Sequence, residues 1–495
     1  MAASSSLSSA SRSRRPSFRS LRLPRDPLRS DERVDRAVAP VSEDASRIGA
    51  SAMEGPQISS FCAAPPRVLI LCGGWADGHC GVADYAARLA EELTYWVGLS
   101  VATRTLPASE ARSRRGGSPM PERTPSAMAF DVPAPFSTDL EGILAWWDAY
   151  AETLEEMNPP PAKDPAVPAI FPLQASGRRA IREILRIVDE SGSEIVHLQY
   201  PSRGFGSALF PVLLPAWLRL FRPDLRVVVT LHEFRRAHPL RKLADLVAVL
   251  PAHVAVLPTG RDLARIDTLR RPMGATLVIP CGARPQERPP PRGPIAGRIF
   301  HYGHPVASKG IDLLIRAIGG LRGTHPEISL ELVCSDPERR CILQRLAAEC
   351  GVEDRLFCHD WLPDEKLRTL AARAEVLVFP FRDGFSLERS SLLNLLDVGT
   401  PILTTRGSPV LPLLACEPES QERLEVTLDQ LLRGLHGDGG AEIRRRLGEL
   451  QQALASFFSY RRIAEAHAAL YASLTQKRRA APRDADGSGV GGGPV

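Results

Sequence analysis

The sequence predicts an α/β fold: two Rossmann-like, doubly wound parallel-sheet domains facing a central cleft. Three observations predict it. Apolar runs of strand length alternate with helical patterns along most of the chain, as in a parallel sheet with crossover helices. A Pro-rich stretch, 283–296, divides that alternation in two and has the composition of a linker. The stretch 374–406 holds one strand–turn–helix–strand unit. In it, Val376, Leu377, Val378 and Phe379 read as a buried strand ended by Pro380. The turn Arg382-Asp383-Gly384 follows, then apolar residues at helical spacing from Ser390 to Leu396. Gly399 and Pro401 stop that helix, and Ile402-Leu403-Thr404 start the next strand. The turn lies at the carboxyl end of its strand, where such sheets bind ligands. The helix start at Arg389-Ser390-Ser391 offers backbone N–H groups and a positive dipole end, which suit a phosphate.

A chain of 495 residues has room for two or three cored domains. A net charge of +5 is small at this length and gives no reason to expect nucleic acid. No apolar stretch reaches the roughly 20 residues of a membrane-spanning helix. The nine cysteines contain no CxxC pair. The spacings of Cys334, Cys341, Cys350 and Cys358 suit neither zinc nor a disulfide framework, so buried reduced thiols in a cytoplasmic protein are expected.

In chain order, 1–64 is Ser-, Arg- and Pro-rich and expected to be disordered. Its first 25 residues carry Arg and Ser without an acid, which fits a transit peptide as well as a bland basic tail. The first domain is expected over 65–282. It opens with a strand at 67–71, then Gly73-Gly74, the Gly81 loop and a helix with Tyr85, Leu89 and Leu93 on one face. Mobile insertions are expected near 107–135 and 158–176. Trp146, Trp147 and Tyr150 sit on a helical pattern between them, where core packing outweighs an acceptor pocket. Strands at 194–200, 226–231, 254–257 and 276–279 follow. The second domain is expected over 297–476, with strands at 298–302, 329–334 and 355–358, and a long final helix near 441–474. The tail 477–495 is Gly-rich.

Two such domains put their strand ends face to face, and a cleft between domains is a preferred small-molecule site. The polar residues falling at strand ends are therefore the candidates. Lys309 follows a strand and precedes a helix, a position that suits a phosphate held by a point charge. His232 ends an apolar strand and can share a proton with a sugar or phosphate; a packed, hydrogen-bonded histidine is the plainer alternative. His197 reads as a satisfied core residue. Gly81 allows close backbone approach to a ligand. Arg235, Arg236, Arg241 and Lys242 form a basic run that could meet anionic lipid, although a solvated helix face is commoner.

Taken in order, these motifs resemble the GT-B glycosyltransferases, and within them the retaining glycosyltransferase family 4. The resemblance covers 66–476. It rests on Gly81-Val82-Ala83-Asp84-Tyr85, Val196-His197, Thr230-Leu231-His232, Tyr302-Gly303, Ser308-Lys309-Gly310-Ile311-Asp312, Asp360-Trp361-Leu362-Pro363-Asp364-Glu365 and the unit 374–401. It implies a nucleoside-diphosphate-sugar donor in the second domain, a carbohydrate, lipid or small-molecule acceptor in the first, transfer with retention, and no bound metal or cofactor. It further implies that Gly81, Lys309, Arg389, Ser390 and Ser391 hold the diphosphate and that Asp383, Gly384, Phe385 and Asn394 face the donor sugar or ribose. His232 would lie near the transferred sugar, with His232 and Lys309 the catalytic pair. Cationic groups suit the charge gathered on a leaving diphosphate. Two glutamates usual in the family fall here on Ser386 and Asn394. Two alternatives therefore stand beside the transferase: a non-catalytic GT-B protein binding a nucleotide sugar or a partner transferase, and a sugar-nucleotide epimerase. The expected location is cytoplasmic, with a peripheral membrane contact through the basic run.

Overall fold

The computed structural model describes residues 65–75, 80–105, 141, 143–145, 168–206, 208–234, 237–283, 293–407 and 411–480. Two all-parallel sheets organise them. The first holds β1 (Arg67–Gly74), β2 (Gly98–Thr105), β3 (Ala169–Pro172), β4 (Ile195–Tyr200), β5 (Arg226–Leu231), β6 (Val254–Leu257) and β7 (Ala275–Val278), in the order β3-β2-β1-β4-β5-β6-β7. The second holds β8 (Arg298–His301), β9 (Ser329–Val333), β10 (Leu356–His359), β11 (Val376–Phe379), β12 (Ile402–Thr405) and β13 (Leu414–Cys416), in the order β10-β9-β8-β11-β12-β13. Both orders are doubly wound. Each reverses direction at one crevice, between β1 and β4 and between β8 and β11, and ligands of such sheets bind there.

Burial on both faces gives the strands their continuous apolar runs. Along β1, Val68 and Ile70 join one apolar cluster while Leu69 and Leu71 join another. The second cluster is covered by α2 (Gly177–Ser191), α3 (Phe210–Phe221) and α4 (Pro239–Val249). The other face carries α1 (Gly81–Leu93), which buries Tyr85, Leu89 and Leu93 as its spacing predicts. The helix α5 (Leu263–Arg270) links β6 to β7. In the second domain the crossover helices are α6 (Ile311–Leu321), α7 (Pro337–Glu349) and α8 (Asp364–Arg373), followed by the short α9 (Ser390–Leu393). Three helices end the described chain: α10 (Gln421–His436), α11 (Gly440–Phe457) and α12 (Tyr460–Ala480).

Four expectations are corrected. The helix after the 382–384 turn stops at Leu393, and a short 3₁₀ turn, Leu396–Val398, replaces its second half. The Asn394 carbonyl, which a continued helix would use, accepts instead from Arg368 at 2.9 Å, and the Val398 amide turns to Leu395 at 3.3 Å. Arg389 and Ser390 also spend their amides locally, on the carbonyls of Ser386 and Glu388. The single long helix near 441–474 is two, α11 and α12. They break at Ser459, which bridges to Ala283, and the Tyr460 amide donates to the Ala283 carbonyl at 2.9 Å. From that crossing α12 leaves the second sheet and packs on α1 of the first; it runs on to Ala480, past 476. Residues 169–172, expected within a mobile insertion, are β3, the edge strand beside β2. The expectations for 1–64, 107–135, Trp146, Trp147 and Tyr150 lie outside the described residues, as do Arg235 and Arg236.

One glycine fixes how the loops after β8 and β11 meet. Gly310 has φ +64°, and a Cβ there would lie 2.0 Å from the Pro380 carbonyl oxygen. Gly310→Ala combines left-handed strain with a backbone collision. We expect it to destabilise the protein by about 2 kcal/mol or more, seen as a lowered denaturation midpoint. A variant melting like the parent would show that the two loops are not locked together.

Candidate functional site

At the crevice of the second sheet, the loop after β8 makes a turn, Ala307–Lys309, and then enters α6 through Gly310. Lys309 Nζ donates to Ser391 Oγ at 3.2 Å and lies 4.9 Å from the centroid of the Phe381 ring. The Arg389 guanidinium carbon lies 4.4 Å from the same ring, and its Nη2 pairs with Asp383. Two cations therefore share one buried aromatic ring. Asp383 balances part of their charge. Gly384, at φ +77°, keeps the turn against the Arg406 carbonyl, which a Cβ would approach to 2.2 Å.

Buried polar atoms in this region that lack a hydrogen-bond partner include Ser386 Oγ, Arg389 Nε, Asn394 Oδ1 and His301 Nε2. An unsatisfied buried group costs about 1–3 kcal/mol. His301 was not anticipated from the sequence. Its Nδ1–H donates to the Val378 carbonyl at 2.8 Å, so Nε2 carries the lone pair. Burial pushes its pKa down to about 4, and the ring is neutral beside Lys309. Its signal in the sequence was a histidine at the end of a switch-point strand.

The first sheet presents a different network. His232 Nε2–H donates to Gln199 Oε1 at 2.8 Å, and the Gln199 amide donates to His197 Nε2 at 3.1 Å. His197 Nδ1–H then points to the Tyr471 hydroxyl of α12. His197 is a satisfied buried residue, as expected. The tautomer that this chain imposes leaves Nδ1 of His232 as a hydrogen-bond acceptor. The Tyr85 ring stands edge-on to His232, with centroids 4.9 Å apart. Burial, with His467 nearby, drives the His232 pKa down to about 3. At neutral pH His232 is therefore an acceptor of a hydrogen bond, not an acid.

Several contacts bring the domains together over the 383–391 segment, among them the Cys281 amide donating to the Leu387 carbonyl at 3.1 Å. A Cβ on Gly81 would have Ser390 Oγ as its nearest neighbour, at 4.0 Å. Arg261, just beyond β6, donates to the Phe385 carbonyl at 2.8 Å and to that of Asp383 at 3.4 Å. Of the residues expected to act together, Gly81, Lys309, Ser390 and Ser391 do converge. The Arg389 side chain is turned to Asp383, and His232 belongs to the separate network of the first sheet. Arg261 went unrecognised, although Thr259-Gly260-Arg261 closes a strand as His232 does.

Among the described residues, His325, Glu327 and His436 offer ligand atoms within 4.8 Å of one another. His325 also meets Asp429 and His436 meets Glu375, an ion-pair network beside residues that precede β9 and β11, at the edge opposite the crevice. Of the four clustered cysteines only Cys334 is buried; Cys341 is exposed.

Two doubly wound sheets with the last helix returning to the first domain form the GT-B architecture of glycosyltransferases. Across 83% of the chain and 100% of its own, sucrose-phosphate synthase from Thermosynechococcus elongatus superposes with a TM-score of 0.55 at 18% identity, a likeness of fold. Residues 296–430, most of the second domain, match the family "Glycosyl transferases group 1". The MMP alpha-(1->4)-mannosyltransferase of Mycolicibacterium hassiacum is 28% identical over 204 residues, 39% of this chain and 47% of that protein. The GDP-mannose-dependent alpha-(1-6)-phosphatidylinositol monomannoside mannosyltransferase of Mycolicibacterium smegmatis is 33% identical over 111 residues, 21% of this chain and 29% of that protein. The matches thus span less than half the length of these curated relatives. No described helix is long and apolar enough to cross a membrane.

The buried histidines set a pH dependence. His232, His301 and His467 have pKa values lowered by burial to about 3, 4 and 4. In the unfolded chain they protonate near pH 6.5. Their contribution to stability is thus complete above pH 6.5 and lost as pH falls from there toward 3–4. At pH 5 the loss is about 2 kcal/mol per histidine. Denaturant titrations at pH 7.5 and pH 5 should show it, and His301→Gln should reduce the difference. Equal midpoints at both pH values would mean that these rings are already charged or exposed.

Proposed function

We propose that the protein is a retaining glycosyltransferase that moves a hexose from a nucleoside-diphosphate donor to a carbohydrate- or lipid-borne hydroxyl. The observation that carries the proposal is Lys309 held on Ser391 at the crevice of a group 1 domain, with Gly81 facing Ser390 from the other domain. In this reading the diphosphate exchanges for the Lys309–Ser391 contact. The leaving charge is then met by Lys309 and by the hydroxyls of Ser390 and Ser391, at a site closed by the first domain. Arg389, steadied by Phe381 and Asp383, supplies positive potential behind them. Asp383, Gly384 and Phe385 line the donor sugar, and the open valences of Ser386 and Asn394 take hydroxyls of the sugar or ribose. His232 accepts a hydrogen bond from the transferred hexose and orients it. GDP-mannose is the first donor to test, because two relatives are named as mannosyltransferases and one of them by that donor. The reading calls for no metal or resident cofactor.

A second reading rests on one observation. Ser386 and Asn394 stand where the family's glutamates are expected, so a protein that binds a nucleotide sugar without turning it over fits the same geometry.

Titration of the protein with GDP-mannose and the corresponding UDP, ADP and dTDP sugars separates the readings. A bound donor at a hundred times its Kd raises stability by about 2.7 kcal/mol. Lys309→Ala should weaken binding by about 1.5–3 kcal/mol, on the order of ten- to a hundredfold in Kd. His232→Ala should leave donor binding nearly intact and reduce turnover. Binding insensitive to Lys309→Ala would falsify the assignment of the diphosphate site; binding without sugar release or transfer would favour the second reading.

A further inference from the structure

We infer that the outer face of the α3–α4 layer docks on an anionic membrane surface. The helix α3 carries a single charged residue, Arg219, in twelve. Its inner face is buried, with Phe210, Leu214 and Leu218 in the core of the first sheet. Its outer face is equally apolar and lies open. Leu209 and Leu220 are each 72% exposed, Phe221 56%, Leu213 43% and Trp217 40%. The spacing 209, 213, 217, 220 keeps these side chains on one stripe. The neighbouring α4 packs against α3 and extends the patch with Leu240 and Leu243, 74% and 60% exposed. Scattered exposed leucines need no explanation, but a contiguous stripe on two adjoining helices marks a surface that is covered in use.

Charge selects the occupant. On the other flank of α3 lies α2, whose first turns expose Arg178, Arg179 and Arg182 and hold no acid in the first turn. Glu183, the next carboxylate, is turned back to the amides of Gln174 and Ala175. Arg219 is exposed on α3 itself. At the far end of the layer the exposed carboxylates Asp189, Glu190 and Asp224 are paired with Arg222 and Arg186, so unpaired positive charge borders the stripe at its cleft end. An apolar stripe with arginines there fits acyl chains below and phosphate headgroups at that rim. The direction of the helices gives the contact a consequence. Both follow strands, so their first turns, with Leu209 and Leu240, stand at the sheet edge that carries Gln199 and His232. A lipid-borne acceptor would reach the cleft from the docked face. The docking itself does not depend on the transfer chemistry.

The experiment is vesicle flotation of the full chain, without donor, on phosphatidylcholine alone and on phosphatidylcholine with one-third phosphatidylserine. We expect at least about tenfold stronger binding to the anionic vesicles. The double variant Leu220→Glu/Leu243→Glu changes two exposed residues, so its melting should match the parent while flotation is lost. Arg178→Glu/Arg179→Glu/Arg182→Glu should abolish the preference for anionic lipid. Failure to float, flotation unchanged in the leucine variant, or a parental dimer that this variant dissociates overturns the inference. The last result would make the stripe a contact between two copies of the chain. Donor binding, measured separately, is indifferent to all of these outcomes.

Discussion

The close approach of two backbones, Gly310 against the carbonyl of Pro380, is the constraint on which the second domain's crevice depends. It brings the loop leaving β8 under the loop leaving β11. Three further contacts zip the pair: the Arg382 amide to Ser308 at 3.2 Å, Arg382 to Asp312, and Lys309 to Ser391 at 3.2 Å. A long flexible lysine would ordinarily sample many rotamers at a strand end. Here its ammonium is fixed between a hydroxyl and the Phe381 ring before any ligand arrives, so less conformational entropy is lost when an anion binds.

The second constraint is the return of α12. The chain crosses at Ala283 and Ser459, where a side chain on Gly282 would meet the Tyr460 ring at 2.7 Å. Beyond that crossing, Tyr471 holds His197, which holds Gln199, which holds His232. The last described helix thus sets the proton position on a histidine of the first sheet. Such a network is costly when incomplete and specifying when complete. It is also sensitive to domain motion, because Tyr471 enters the first domain on a helix anchored in the second.

Much of the fold was legible because strand runs such as Val376–Phe379 and helix stripes such as Ile311–Leu321 are written in local periodicity. The failures share a cause. The end of α9 at Leu393 is decided by Arg368, a residue of another helix. The break before α12 is decided by Ala283, far away in sequence. β3 is a short edge strand, only partly buried, and its apolar signal is weak beside the Pro-rich residues around it. The candidate site divides in the same way. Lys309 stands next to a turn glycine and Gly81 opens a helix, so both could be read; Arg261 and Tyr471 act across domains, and their partners are invisible to a local pattern. The Arg389 amide was expected to meet an anion, but it is the side chain that carries the positive charge.

The absence of two family glutamates changes what the crevice can bind. A carboxylate at position 386 or 394 would add negative charge to the segment where Asp383 already engages Arg389, and would accept hydrogen bonds from hydroxyl donors. Ser386 and Asn394 keep the accepting capacity through Oγ and Oδ1, both buried and unpartnered, but they remove the charge. The remaining balance around Phe381 is two cations, Lys309 and Arg389, to Asp383, which pairs with Arg389. That excess favours a diphosphate over a neutral sugar. In the proposed reading it would place the recognition energy on the leaving group, with Asp383 tied to Arg389 and the sugar hydroxyls met by uncharged groups: Ser386, Asn394 and the acceptor nitrogen of His232. Neutral hydrogen-bond partners discriminate hydroxyl patterns less steeply than carboxylates do. A donor pocket built as proposed would therefore select strongly for the nucleotide diphosphate and more loosely among hexoses.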